Sequence, residues 1–119
     1  MRVYLILIAF LITVPARSEE TVQSLLYKCE AKIDSIGSIY CIGRIGGMAD
    51  LMGYNGFLIG KGENSELHRQ VSTCTGKPIP TYGALIQVFE NWARSHPEHW
   101  ADNDLTGVLI ALHDKWPCH

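Results

Sequence analysis

The sequence predicts an all-α domain, a small disulfide-stapled bundle of four main helices paired as two helical hairpins. Three observations carry that expectation. Apolar residues recur at helical spacing in four separate segments, those segments are punctuated by capping residues, glycine and proline, and four cysteines fall where two hairpins would close. The clearest unit runs from Cys74 to Cys118, two helix-like segments joined by Ser95-His96-Pro97-Glu98.

Ahead of the domain stands Met1-Arg2, then an almost unbroken apolar run from Val3 to Val14, then Pro15-Ala16-Arg17-Ser18. One basic residue, about a dozen apolar ones and small residues at Ala16 and Ser18 have the layout of a secretory signal peptide. The run is short of the roughly 20 apolar residues that span a bilayer. Residues 1–18 are therefore expected to be a cleaved signal, and residues 19–119 a single exported, soluble domain, periplasmic in location. Without Arg2 and Arg17 that domain keeps 8 of the 10 lysines and arginines against 12 acidic residues, a formal net charge of −4. No basic cluster survives, which argues against nucleic acid or an anionic membrane as partner. About a hundred residues bury only a modest core, and an exported chain with four cysteines is expected to compensate with two disulfides.

Thr21 is the expected cap of the first helix, Thr21 to about Ala31, with Glu19 and Glu20 at the positive end of its dipole. Val22, Leu25, Leu26 and Cys29 fall at i, i+3, i+4 and i+7. Asp34 to Ser38, containing Gly37, is expected to turn. A second helix is then predicted from Ile39 to about Met52, capped by Ser38, with Cys41, Ile42, Ile45, Met48, Ala49 and Met52 on one face. Gly43 and Gly47 lie opposite, with Gly46 and Asp50 beside them. Three glycines in one helix cost about 1 kcal/mol each against alanine. Either a helix or loop of the same chain approaches closely there, or the bare backbone is a contact surface for a second subunit or partner.

Periodicity fails from Gly53 to Thr73, where Asn55-Gly56 and Gly60-Lys61-Gly62 are turn signals. A loop of about twenty residues is uncommon in a compact domain and usually functional or mobile, so specificity is expected there. The alternative is one extra short helix from about Ser65 to Val71, with Leu67 and Val71 inward. Pro78-Ile79-Pro80 ends the region and Thr81 caps a third helix, whose buried face is Tyr82, Leu85, Ile86, Phe89, Trp92 and Ala93. Gln87, Glu90, Asn91 and Arg94 form its wet face, with Glu90 and Arg94 paired at i, i+4. The fourth helix is expected to begin around Trp100 to Asp104 and to end before Pro117, with Leu105, Val108, Leu109, Leu112 and Trp116 as its stripe. Ile110 stands out of phase, beside Gly107, as a hint of a second contact face.

If each pair of helices is an antiparallel hairpin, the end of the first meets the start of the second. That geometry pairs Cys29 with Cys41, and by the same argument Cys74 with Cys118. On the loop-entropy model these closures contribute about 3 and 4 kcal/mol.

Little in the chain suggests chemistry. His96-Pro97-Glu98-His99 lacks the helical spacing of a zinc protease, and proline interrupts it. His113-Asp114 and His119 fit a solvated helix end. Cysteines that pair in an oxidising compartment leave no thiol nucleophile, and neither a Gly-x-Ser-x-Gly elbow nor a phosphate loop is present. Trp92, Trp100 and Trp116 are assigned to the core rather than to a sugar or peptide platform. No catalytic residue, metal ligand or cofactor is expected.

Taken together, Cys41-Ile42-Gly43-Arg44-Ile45-Gly46-Gly47, the cysteine ahead of a proline-led helix at Cys74, the helix ending in His96-Pro97 and the close at Trp116-Pro117-Cys118 resemble the Tai family, also called resistance-associated (Rap) immunity proteins. The resemblance runs from about Val22 to Cys118. It implies a periplasmic, all-helical, commonly homodimeric protein that binds and occludes a peptidoglycan amidase effector of a type VI secretion system. The catalytic cysteine and histidine would then belong to the partner. Under that implication Gly43, Gly46, Gly47, Asp50 and Ile110 are the candidate partner or dimer surface. A different class of function, a small helical periplasmic chaperone of the acid-stress type, fits the same architecture and would expose apolar surface to unfolded clients at low pH.

Overall fold

In the computed structural model the described residues are 19–63 and 65–119, and the predicted signal segment lies outside them. Every regular element among them is helical. Helix α1 spans Val22–Cys29 and starts where expected, with the Thr21 hydroxyl accepting from the Ser24 N–H at 3.2 Å. It stops two residues short of Ala31. Asp34 then takes a left-handed conformation, φ 67°, in the turn that reverses the chain.

Helix α2 spans Ile36–Gly60, a correction at both ends. Ser35 rather than Ser38 is the cap, since its hydroxyl accepts from the Ser38 N–H at 3.1 Å. Gly37 is thereby inside the helix and not in the turn. At the far end the expected break at Gly53 does not occur. Asn55 donates its amide to the Val71 carbonyl at 3.0 Å, and Gly56 lies against the Thr73 carbonyl. Those tertiary contacts, invisible in a local reading, override the turn preference of Asn-Gly. Ile42, expected on the buried face, is exposed.

The long loop expected between residues 53 and 73 is therefore mostly helix. Its remainder includes the short α3, Glu66–Gln70, capped by Ser65. Leu67 does not point inward as expected but is 69% exposed. Helix α4 spans Tyr82–Ser95 with Thr81 as cap, and α5 spans Asp104–Lys115 with Asn103 as cap. Between them Pro97–His99 forms one 3-10 turn. Glu90, expected on the wet face of α4, has little side-chain exposure and faces Arg94 at 3.4 Å. Burial pushes its carboxyl above the ordinary range, against the pull of Arg94. Arg94 also reaches Glu30 at 3.0 Å, tying the end of α4 to the end of α1.

Both disulfides have the expected pairing, Cys29 with Cys41 and Cys74 with Cys118, at Cα separations of 5.1 and 5.0 Å. Leu25, Ile45, Met52, Phe89, Val108 and Leu112 are fully buried between the helices. The three tryptophans pack at the edge of that core, and the Trp100 indole N–H donates to the Ala93 carbonyl at 2.7 Å. Gly107 has a clear use inside the chain. A Cβ there would lie 2.5 Å from Val22 Cγ2 and 3.2 Å from the Trp92 ring, so the glycine admits α1 against α5.

One polar contact in this interior was not legible beforehand. Asp104 is fully buried, and Arg44 reaches it with Nε to Oδ2 at 2.7 Å and Nη2 to Oδ1 at 2.9 Å. The carboxylate beside it keeps the Arg44 guanidinium above its ordinary value, against the opposing effect of burial. The Asp104 N–H donates to the Glu20 carbonyl at 3.0 Å, and the Val22 N–H to the Asp102 carbonyl at 3.0 Å. The middle of α2 and the starts of α1 and α5 thus meet at one point.

Two stability measurements follow from this packing. Arg44→Met strands a buried carboxylate and is expected to cost about 3 kcal/mol in urea unfolding. The double variant with Asp104→Asn is expected to cost less than the sum of the two single changes, because neither single variant's stranded partner remains. Gly56→Ala drives a methyl group into the Thr73 carbonyl and is expected to destabilise by about 2 kcal/mol. Gly53→Ala, where a Cβ meets nothing within 4 Å, is expected to stabilise by up to about 1 kcal/mol.

Candidate functional site

Helix α2 carries only two charges, Arg44 and Asp50, in 25 residues. A helix that is apolar nearly all round is normally buried all round. This one is not. Cys41, Ile45, Gly46, Met52 and Gly56 face the core, but seven of the twelve exposed large apolar or aromatic side chains among the described residues lie on α2. Ile36, Tyr40, Gly43, Gly47, Leu51 and Tyr54 follow one another at intervals of three or four, so they form a single outer stripe. Ile36 is 88% exposed. Contiguous exposed apolar surface of this kind is the usual physical signature of an interaction site.

A groove of about 510 Å³ opens beside this stripe. Ala49, Gly53 and Phe57, one helical turn apart, form one wall; the strap of residues 73–80 forms the other; Leu85 and Leu112 lie among its lining residues. The strap is fixed at its start and free afterwards. The Thr73 N–H donates to the Met52 carbonyl at 3.1 Å, the Cys74 N–H to the Trp116 carbonyl at 3.0 Å, and the disulfide to Cys118 locks the same point. His113 holds the Ser72 carbonyl at 3.0 Å. From Thr75 to Pro80 no main-chain to main-chain hydrogen bond forms among the described residues.

Tyr82 closes one end. Gly46 lets its ring lie on α2, since a Cβ at Gly46 would stand 3.3 Å from Tyr82 Cε1. The Tyr82 hydroxyl then donates to Asp50 Oδ2 at 3.2 Å. That hydrogen bond and the negative charge of Asp50 both raise the phenol above its ordinary value of 10.0.

The sequence-derived surface residues thus fall in three settings. Gly43, Gly47 and Asp50 are exposed, and a Cβ on either glycine meets nothing within 4 Å. Gly46 is buried under Tyr82, the close approach within the chain that was one of the two explanations for these glycines. Ile110 is half-buried on α5, outside the groove lining. The groove itself has no local sequence signature, because its walls come from α2, the strap and α4.

Among the described residues no group of three or more His, Cys, Asp or Glu is placed to hold a metal ion, and no helix is long and apolar enough to cross a membrane. All four cysteines are in disulfides. His96 is engaged by the Trp92 carbonyl at 2.7 Å, and His99 by Asp102 at 2.7 Å. What these residues do is punctuate the turn between α4 and α5.

A family model described as Rap1a immunity proteins matches residues 21–118. No curated protein and no solved structure matches the chain.

The Tyr82–Asp50 contact gives a pH signature. A phenol whose folded value is raised contributes stability that is complete below about pH 10 and is lost as pH climbs through the raised value. Ultraviolet titration of tyrosinate is expected to show one late component that Tyr82→Phe removes. Asp50→Asn is expected to bring that component back towards 10.0; an unchanged profile would contradict the contact.

Proposed function

The chain belongs to the Rap1a family of immunity proteins, and from that premise we propose that it is a periplasmic inhibitor which binds and occludes a peptidoglycan amidase effector of a type VI secretion system. It supplies no catalytic group; the cysteine and histidine that do the chemistry belong to the effector. The family match over residues 21–118 carries the proposal. Two features of the chain support it. Its cysteines are paired, as suits an oxidising compartment. Its largest unsatisfied feature is an apolar surface rather than a constellation of titratable groups.

We assign the outer stripe of α2 to a second copy of the chain. Laid antiparallel across its twin, with the two-fold point between Gly43 and Gly47, the outer face matches itself: Ile36 meets Tyr54, the neighbouring exposed Ile39 meets Leu51, and Gly43 meets Gly47. The two glycines at the centre let the helices approach closely, while the aromatic and aliphatic residues outside them cover each other. A self-complementary patch of this kind is what a two-fold interface requires.

The test uses the chain from residue 19 onward and its cognate amidase, sought as a neighbouring reading frame with a papain-like cysteine and histidine. Stoichiometric loss of peptidoglycan hydrolysis is expected, with twice the monomer mass in sedimentation. Gly47→Trp is expected to give a folded monomer of unchanged helical circular dichroism, since the site above Gly47 is empty. Undiminished hydrolysis in the presence of excess inhibitor protein would sink the immunity function, and a Gly47→Trp protein that remained dimeric would sink the assignment of α2.

A further inference from the structure

The groove is distinct from the outer stripe, and its chemistry says what it can hold. Its lining is apolar where Phe57, Leu85 and Leu112 contribute, and the small residues Ala49 and Gly53 give it depth. The space above Gly53 is empty to 4 Å. At about 510 Å³ it admits a few residues of chain rather than a folded domain.

Two polar features qualify that apolar lining. The first is Asp50. Five of the twelve acidic side chains face a lysine or arginine: Glu20 has Lys28, Asp104 has Arg44, Glu30 and Glu90 share Arg94, and Glu66 has Arg69. Asp50 has only the neutral Tyr82 hydroxyl. A carboxylate with acceptor capacity left over, set at an apolar groove, favours a cationic group on whatever enters. The second is the strap. Thr75, Gly76, Lys77 and Ile79 keep main-chain N–H groups that no main-chain carbonyl of the described residues takes, on a segment that lines the groove. Unclaimed main-chain donors beside side-chain pockets are what a docked peptide uses.

We infer that this groove receives an extended segment of the effector in which a basic side chain stands next to an aliphatic one. The aliphatic side chain sits between Phe57 and Leu112, the basic one meets Asp50, and the main chain of the segment bonds to the strap. The Cys74–Cys118 disulfide fixes the strap covalently where it leaves the core, so the site is formed before the partner arrives. This inference rests on the effector-binding function above, but it can fail separately from it.

The test is a titration of the isotope-labelled chain, residues 19–119, followed by nuclear magnetic resonance. Three blocked peptides serve as probes: Gly-Leu-Arg-Leu-Gly and its counterparts with glutamate or norleucine in place of arginine. The arginine peptide is expected to give saturable shifts confined to Gly53, Phe57, Thr75 to Lys77 and Tyr82. Binding of the glutamate peptide should be at least tenfold weaker. Asp50→Asn should remove the preference for arginine over norleucine, and Gly53→Trp should abolish binding while leaving the melting temperature in place. Equal binding of all three peptides, shifts on the outer stripe instead of the groove, or full binding by Gly53→Trp would each overturn the inference. None of those results touches amidase inhibition, which is read without peptides. Conversely, peptide binding with no inhibition of the amidase would count against the effector as partner and leave the groove's chemistry standing.

Discussion

The Arg44–Asp104 pair is the constraint around which the bundle is aligned. The apolar contacts of the core are non-directional, and Ile45, Val108 and Leu112 could be buried in more than one relative placement of α2 and α5. A bidentate guanidinium–carboxylate contact tolerates one. Asp104 is also where the chain is tied to α1, through its own N–H to the Glu20 carbonyl. Buried ion pairs contribute little net stability compared with well-packed apolar residues, yet breaking one is costly. The pair therefore acts on register more than on total stability. The Cys74–Cys118 disulfide closes the far end of α5, so that helix is held at both of its ends, whereas on α2 the ion pair lies within one turn of Cys41.

What could be read from the chain in advance, and what could not, divides along the range of the interactions. Thr21 and Thr81 announce helix starts through one side-chain contact three residues away, and both are caps. The cysteine pairing followed from two hairpins, and the hairpins from local apolar stripes. The length of α2 had no such local cause. Asn55-Gly56 is a turn signal by propensity, but its side chain and its missing Cβ are used by Val71 and Thr73, partners more than fifteen residues on. Arg44 and Asp104, 60 positions apart, carry no pattern at all. The groove has no local signature for the same reason: its walls are a helix and a strap that the fold brings together, with Gly53, Phe57 and Thr73 of the expected loop among its lining residues.

The long α2 explains why a bundle of this size has an open side. At 25 residues and about 1.5 Å per residue it is about 37 Å long, whereas α1 has 8 residues, α4 has 14 and α5 has 12. Shorter neighbours cannot cover it on every side. The inner face is satisfied by the core, and the last turns by the strap and α3. The outer face has nothing within the chain to meet it, although its residues are apolar. Exposure of that kind disfavours a monomer in water, and the free energy is recovered when a second surface arrives.

The glycines of α2 sort by the same logic. Gly56 admits the strap and Gly46 admits Tyr82, so both serve the folded chain. Gly43, Gly47, Gly53 and the terminal Gly60 serve nothing inside it, and the first three, in the helix interior, each weaken it relative to alanine. Gly43 and Gly47 lie on the outer stripe and Gly53 on the groove wall, so the unexplained cost is divided between two surfaces that adjoin along one helix. Asp50 stands between them, held by the Tyr82 hydroxyl. The fold's rigid points, Arg44–Asp104 and Cys74–Cys118, lie along the same helix and fix the spacing between the two surfaces.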